Sequence, residues 1–272
     1  GRMLKHHIPI KTDSWDVDRP GFTEIDLVSH SGNCGEGDFA HTLNVTDIHT
    51  DWVERRCVSG KGQEGVRRAL DDIRRELPFP LLGIDSDNGS EFINHHLWRY
   101  CRKKPVIQFT RGRPYKKDDN AHIEQKNWTH VRQLFGYERF ATKVAIRAIN
   151  DLYRNELRWF QNIFQPSVKL IRKIRIGSRL KREYDKPLTP LERVGRSVFR
   201  HKQVAVKLER LCVELDPFGL SAAIDRKLAL IQRRASRPPR PLRYKPGHCP
   251  TYWDKRFAGE QMGPEPRPIL AN

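Results

Sequence analysis

The sequence predicts an α/β protein: a mixed five-stranded sheet flanked by helices, followed by a basic C-terminal region. Two observations carry the sheet. Three strand-like stretches come first in meander order, and helix then alternates with strand through two further strands, the pattern of a sheet with helices on its faces. A third observation carries the basic region: of the formal net charge of +18, residues 166–256 hold 24 Lys+Arg against 8 Asp+Glu, a difference of +16.

Residues 1–20, ending in Arg19-Pro20, show no sustained period and read as a lead-in. "FTEIDLVSH" (22–30) alternates, with Ile25 and Leu27 on one face and Glu24 and Asp26 on the other. "FAHTLNVTDI" (39–48) and "DWVERRCV" (51–58) are strand-like and separated by a short turn. The period then changes: Val66, Leu70, Ile73 and Leu77 recur at helical spacing until Pro78. "PLLGI" predicts a short buried strand with Asp85 and Asp87 just beyond it, and Ser90 is the expected cap of a helix carrying Phe92, Ile93, Leu97 and Tyr100. "VIQFT" (106–110) is the fifth strand. A basic loop, "RGRPYKKDD", leads to a helix expected from about Asn120 to Phe135.

A long helix is expected from about Lys143 to Phe164, with Ile149, Leu152, Tyr153, Leu157, Phe160 and Phe164 in one stripe and Pro166 as its stop. That stripe suits packing against the sheet, or a dimer contact. "SVKLIRKIRIGSRLKREYD" interleaves apolar and basic residues without settling on a period, and residues 198–232 read as weakly helical. From Arg233 the chain is rich in Pro and Arg and is expected to be extended or disordered. The division expected is a lead-in (1–20), a core (21–165), a basic region (166–232) and a tail (233–272).

Composition narrows the function. An apolar fraction of 37% and a charged fraction of 31% fit a soluble chain with polar margins. No run approaches a membrane span and no signal peptide is visible, so a cytoplasmic protein is expected. Cys34, Cys57, Cys101, Cys212 and Cys249 are odd in number and have no C-x-x-C pair, which suits free thiols better than a disulfide framework or a zinc site. His41, His49, His95 and His96 lack cysteine partners at ligand spacing. The concentrated positive field draws polyanions, DNA first; a solvated basic tail is the plainer alternative.

Against that charge stand the acids of "IDSDNGSEF" (84–92). Asp-Asn-Gly before a Ser is ordinary turn chemistry, so Asp85 and Asp87 by themselves suit a turn as well as a site. Asp26 is an acid inside a strand, which calls for a partner or for a sheet edge. Glu124 is more telling. On a wheel of ~100° per residue it falls in the apolar arc of its helix with Ile123, Val131, Leu134 and Phe135, away from the solvated side, and Asn120 points the same way. Three acids that avoid water suit a hard divalent cation. Two Mg²⁺ ions held by such carboxylates can support in-line phosphoryl displacement.

These residues carry a family resemblance. Sixty residues separate Asp26 from Asp87 and thirty-six separate Asp87 from Glu124. "EIDLV", "DNGSEF" and "RPYKKDDNAHIEQKNW", with Pro-Tyr followed by eight residues and then Glu, resemble the three motifs of DDE transposases with a retroviral-integrase-like core. The likeness is greatest to transposases of bacterial insertion sequences and covers roughly residues 15–190. It implies an RNase H-like fold and catalytic, metal-binding roles for Asp26, Asp87 and Glu124 with two Mg²⁺ ions, for which Mn²⁺ can substitute. It also implies hydrolysis at transposon ends followed by attack of the freed 3′-hydroxyls on target DNA, by a homo-oligomer on DNA, in the bacterial cytoplasm at the nucleoid. Asp85 rivals Asp87 in register, but Asp87 is the one that precedes Asn-Gly as in the motif.

DNA contacts are expected from Asn88, Tyr115, Lys116, Lys117, Asn120, Lys126 and Asn127. Charge adds Arg172, Lys173, Arg175, Arg179, Lys181 and Arg182. Such transposases carry an N-terminal helix–turn–helix, and no such pattern is seen here. The chain opens on Gly1 with its first Met at position 3, so it is expected to be an excerpt or to have a natural start upstream. The alternatives are a transposase remnant that binds DNA without chemistry, or another RNase H-like nuclease.

Overall fold

Five strands assemble into one sheet in the order β3-β2-β1-β4-β5, from β1 (Phe22–Ser29), β2 (Ala40–Asp47), β3 (Val53–Ser59), β4 (Gly83–Ser86) and β5 (Gln108–Arg111). The first three form an antiparallel meander, while β4 and β5 run parallel to β1. This is the RNase H-like arrangement. The structure, a computed structural model, describes residues 7–10, 17–103, 105–112 and 126–236.

The strand period of two divides the side chains between two cores. Ile25, Leu43, Val45, Ile84 and Phe109 face helices α1 (Gln63–Glu76) and α2 (His95–Arg102), where they meet Leu70, Ile73, Leu97 and Tyr100. Val28, Ala40 and Cys57 face the other way. They pack on Val131 and Phe135 of α3 (126–135) and on Ala145, Ile149, Leu152 and Tyr153 of α4 (Lys143–Arg154). Leu157 of α5 (156–164) joins this second core. After α5 come a hairpin of β6 (Leu170–Ile176) and β7 (Arg179–Tyr184), then α6 (Pro190–Arg196), α7 (Lys202–Glu214) and α8 (Pro217–Gln232). Ile224 and Ile231 of α8 return to the second core. Val194 of α6 and Leu208 of α7 close over Trp52 and Phe79 in a third cluster.

Several boundaries differ from the sequence expectation. Asn94, not Ser90, caps α2: extended at φ −144° and ψ 161°, its carboxamide accepts from Leu97 N at 2.9 Å. Phe92 and Ile93 precede the helix because both backbone N–H groups bond to Gly89 O, which tucks their side chains into the core ahead of it. β4 continues through Asp85 to Ser86, since both pair with β1 and β5, so Asp85 lies within the strand rather than beyond it.

The helix expected over 143–164 is broken at Asn155, whose φ of −108° and ψ of −98° leave the helical region. Its side-chain amide donates to Asp151 O and Oδ1, an interaction that competes with helix continuation. Beyond the break, α5 passes from α-helical Glu156–Trp159 to π-helical Phe160–Phe164. The wider turn brings Gln161 and Asn162 inward, and Asn162 bonds both N and O of Val53. The middle of α3, Trp128–Arg132, is π-helical as well, and the expected start of that helix at Asn120 lies outside the described residues. The weakly helical 198–232 resolves into α7 and α8, separated by Asp216, which caps α8. Cys34, Cys57, Cys101 and Cys212 are free thiols. No helix among the described residues is long and apolar enough to cross a membrane.

Buried charge stitches these elements together. Glu54 of β3 accepts from Trp52 Nε1 at 3.0 Å and from Arg158 Nε at 2.8 Å, and Arg158 reaches on to Glu76 at the end of α1. Arg56 pairs with Asp72. Asp47 closes the β2–β3 turn: its carboxylate accepts from Gly21 N at 2.6 Å and from Thr50 N and Oγ1 at 2.7 and 2.6 Å. Burial nonetheless pushes its pKa up to about 6. The native carboxyl therefore keeps its proton to higher pH than the unfolded one, near ~3.9. Its contribution to stability is full below that value and is lost as pH rises through about 6. Asp47→Asn is expected to flatten the fall of unfolding free energy between pH 4 and 6 by up to one proton's slope. Urea unfolding across that range measures it, and an unchanged slope contradicts the assignment.

Candidate active site

One polar row crosses the α3 face of the sheet. Register sets Arg55 opposite Asn44 and Asn44 opposite Asp26. Glu24 and Ile25 pair with Asp85 and Ser86, so the next residue, Asp87, comes alongside Asp26. The sheet thus brings together two acids that lie far apart in the chain.

Each acid is held from its own side. Asp26 Oδ1 accepts from Leu27 N at 2.7 Å and its Oδ2 from Asn127 Nδ2 at 2.6 Å. Asn127 Oδ1 in turn accepts from Asn44 Nδ2 at 2.8 Å, so α3 is docked on the first acid by a two-asparagine relay. Asp87 Oδ1 accepts from Gly89 N at 2.9 Å. The pKa of Asp26 is raised, first by burial and then by the neighbouring negative charges of Asp87 and Glu91.

Glu91 is the acid that sequence reasoning left out of the site. A Cβ on Gly89 would stand 2.8 Å from Glu91 Oε2 and 2.9 Å from Asp87 Oδ1. The glycine therefore leaves room for two carboxylates to flank the turn. Glu91 also lies 3.9 Å from the Lys61 ammonium. Its signal was in the quoted motif, four residues after Asp87, but nothing in a turn pattern says that the side chain folds back.

The other expected residues divide. Asp85 is fully buried, accepts from Thr110 Oγ1 at 2.6 Å and sits opposite Glu24. Asn88 bonds inside the protein, to Gly112 O at 3.0 Å and from Arg111 Nη1 at 3.1 Å. Lys126 turns into a separate cleft. Glu124, Tyr115, Lys116, Lys117 and Asn120 lie outside the described residues. Arg172, Lys173, Arg175, Arg179, Lys181 and Arg182 all fall on the β6–β7 hairpin. There Arg172 pairs with Glu183 at 2.6 Å, and Arg175 and Arg182 are exposed.

Among the described residues no group of three or more His, Cys, Asp or Glu is arranged to hold a metal ion. Asp26 and Asp87 with Glu91 nearby form an all-carboxylate oxygen set under mutual repulsion. That donor chemistry fits a hard divalent cation, and Glu124 is the further ligand expected from outside the described residues.

No protein-family model matches the chain. It is 40% identical over 195 residues to a Sinorhizobium fredii (strain NBRC 101917 / NGR234) protein named "Uncharacterized protein y4rM", a match over 71% of this chain and 55% of that protein. The chain thus spans a little over half the length of that relative. Similar solved structures include the catalytic core domain of BIV integrase, at 19% identity and a TM-score of 0.35, over 43% of this chain and 70% of that one. The HTLV-2 integrase catalytic core in complex with magnesium is similar at 16% identity and a TM-score of 0.40, over 54% and 90%. A simian T-cell lymphotropic virus intasome in complex with PP2A regulatory subunit B56 gamma is similar at 16% and 0.42, over 57% and 51%.

The crowding at Gly89 is testable. Gly89→Ala is expected to cost about 1–3 kcal/mol in urea unfolding. The cost is expected to shrink when combined with Glu91→Ala, because the Glu91 carboxylate occupies the space that the new methyl needs. Strict additivity of the two substitutions contradicts that geometry.

Proposed function

We propose that the chain carries the catalytic core of a DDE-type DNA transposase of the bacterial insertion-sequence kind, cutting transposon ends and joining them to target DNA. The observation that carries the reading is that Asp87, one residue past the end of β4, follows on the pairing of β4 with β1 toward Asp26, with the pKa of Asp26 raised by burial and by Asp87. Acids so placed are poorly stabilised as a pair and well suited to a divalent cation.

Asp26, Asp87 and Glu124 hold Mg²⁺, with Mn²⁺ as a substitute. Bound divalent ions supply the positive charge that stabilises the attacking and leaving oxygens of a phosphodiester. The chain's own residues supply position. Leu27 N and Asn127 fix both oxygens of Asp26, and Gly89 N fixes Asp87. The Asn44–Asn127 bond keeps α3 against the sheet. Residues 21–165 form the catalytic core. The basic region 166–232 grips DNA phosphates, through the hairpin above all, and the tail 233–272 adds charge. The protein acts as a homo-oligomer on DNA at the bacterial nucleoid.

Incubating the chain with Mg²⁺ and labelled duplexes taken from the sequences that flank its gene tests this by the appearance of cut and joined products. Asp26→Asn, Asp87→Asn and Glu124→Gln are each expected to lower cleavage by about 10³-fold, the several kcal/mol that metal charge stabilisation supplies, while DNA binding stays within about twofold of wild type. Cleavage that survives any of the three sinks the assignment. For the hairpin, Arg175→Ala and Arg182→Ala are each expected to reduce the slope of log affinity against log salt by about 0.9, equally on unrelated sequences. Unchanged slopes in filter-binding titrations remove the hairpin from the DNA interface.

A further inference from the structure

We propose that the outward face of α7 is an interface between two copies of this chain, with the two helices packed antiparallel across a twofold axis. α7 (Lys202–Glu214) turns Ala205 and Leu208 inward, and Leu208 joins the cluster around Trp52 and Phe79. A surface helix with one buried stripe ordinarily gives its other side to charged and polar residues. α7 instead carries a second apolar stripe. Val206 and Val213 stand seven residues apart, which sets them within about 20° of one another around the helix and opposite Leu208. They are 49% and 88% exposed. Phe218, in the first turn of α8 just past the end of α7, is 84% exposed as well.

Two features of the face select a second copy as the occupant. The first is charge. Lys202 and Lys207 lie in the N-terminal half of α7 and Glu209 and Glu214 in the C-terminal half, all exposed. Such a face is complementary to itself when one copy is turned end for end. Antiparallel pairing sets Val206 against the partner's Val213, brings Lys207 to the partner's Glu214 on the same flank, and repeats both contacts by symmetry. The second feature is shape. Lys202, Val206, Arg210 and Glu214 form a row at i, i+4 spacing, and beside it runs a groove of about 510 Å³ whose lining continues through Lys207 and Leu211. Rows of this kind on one helix seat in the grooves of another.

Neither feature suits DNA, since valines offer a polyanion nothing and the two glutamates repel it. One 13-residue helix from each copy makes a small interface, of the weak and transient class. The pairing rests on the surface of α7 and not on the transposase reading, although it supplies an interface for the homo-oligomer proposed there.

Sedimentation equilibrium of the full chain, without DNA or divalent ions, tests the pairing. Wild type is expected to pass from monomer to dimer with a Kd on the order of 10 μM. Val213→Ser, at a position too exposed to matter for folding, is expected to weaken the dimer about tenfold, because the contact it removes occurs twice. Lys207→Glu and Glu214→Lys are each expected to weaken it about fivefold. The double variant Lys207→Glu/Glu214→Lys, which exchanges the charges on both copies, is expected to return to within about twofold of wild type. A wild type that stays monomeric well above that concentration overturns the interface, as does a dimer indifferent to Val213→Ser or a double variant no tighter than the single ones. The two readings fail separately. A dimer that yields no cut DNA sinks the transposase alone, and cut DNA from a chain that stays monomeric sinks the α7 interface alone.

Discussion

The sheet's polar row is the constraint on which the rest of the structure depends. Arg55, Asn44 and Asp26 lie on three adjacent strands, on a face that is otherwise core, and Asp87 follows the end of the fourth. Polar groups withdrawn from water are costly unless each finds a partner. The elements laid over that face are shaped to provide them: Asn127 reaches Asp26, while the backbone of His130 and the side chain of Gln161 meet Arg55. Both helices are π-helical at the point of contact. A wider turn there aims side chains and carbonyls that a regular helix would direct elsewhere.

Satisfaction is uneven along the row. At the β3 end, Arg55 gives its Nη1 to His130 O and its Nη2 to Gln161 Oε1 and lies 4.9 Å from the Tyr153 ring, while its buried Nε has no hydrogen-bond partner. At the β4 end, negative charge accumulates. Asp26 is oriented by the neutral donors Leu27 N and Asn127, which favour its charged form but are outweighed by burial and the charges of Asp87 and Glu91. A site meant only for stability would place a cation there. Lys61, the basic group on this side, stands 3.9 Å from Glu91 and is mostly exposed, so its pairing is weak. On the other flank of α3, Lys126 lines a separate cleft with Asp51 as its neighbouring carboxylate.

Much of this was legible in the sequence. The alternation in "FTEIDLVSH" set Asp26 on the face opposite Ile25, and helical spacing from Val66 to Leu77 marked α1. Break points were less legible. Asn155 reads as an ordinary polar residue in a long helical stripe, and only its bonds to Asp151 reveal the stop. Ser90 has the residue type of a cap, yet Asn94 caps α2, because Gly89 O takes the backbone N–H groups of Phe92 and Ile93 before the helix begins. The β6–β7 hairpin escaped notice because its apolar and basic residues alternate on an exposed ribbon with little core to impose a period.

By itself the sequence determined the mixed sheet and the order of its elements, because side-chain periodicity and turn chemistry are local properties of the chain. Which carboxylates meet was decided by tertiary structure alone. Parallel pairing of β1 with β4 brings Asp26 beside Asp87 across sixty intervening residues, and the turn at Gly89 folds Glu91 in with them. The electrostatic surroundings of Lys126 are likewise invisible in one dimension, because Asp51, Arg55, Lys169 and Arg193 reach it from separate parts of the chain, and distance in space sets their effect.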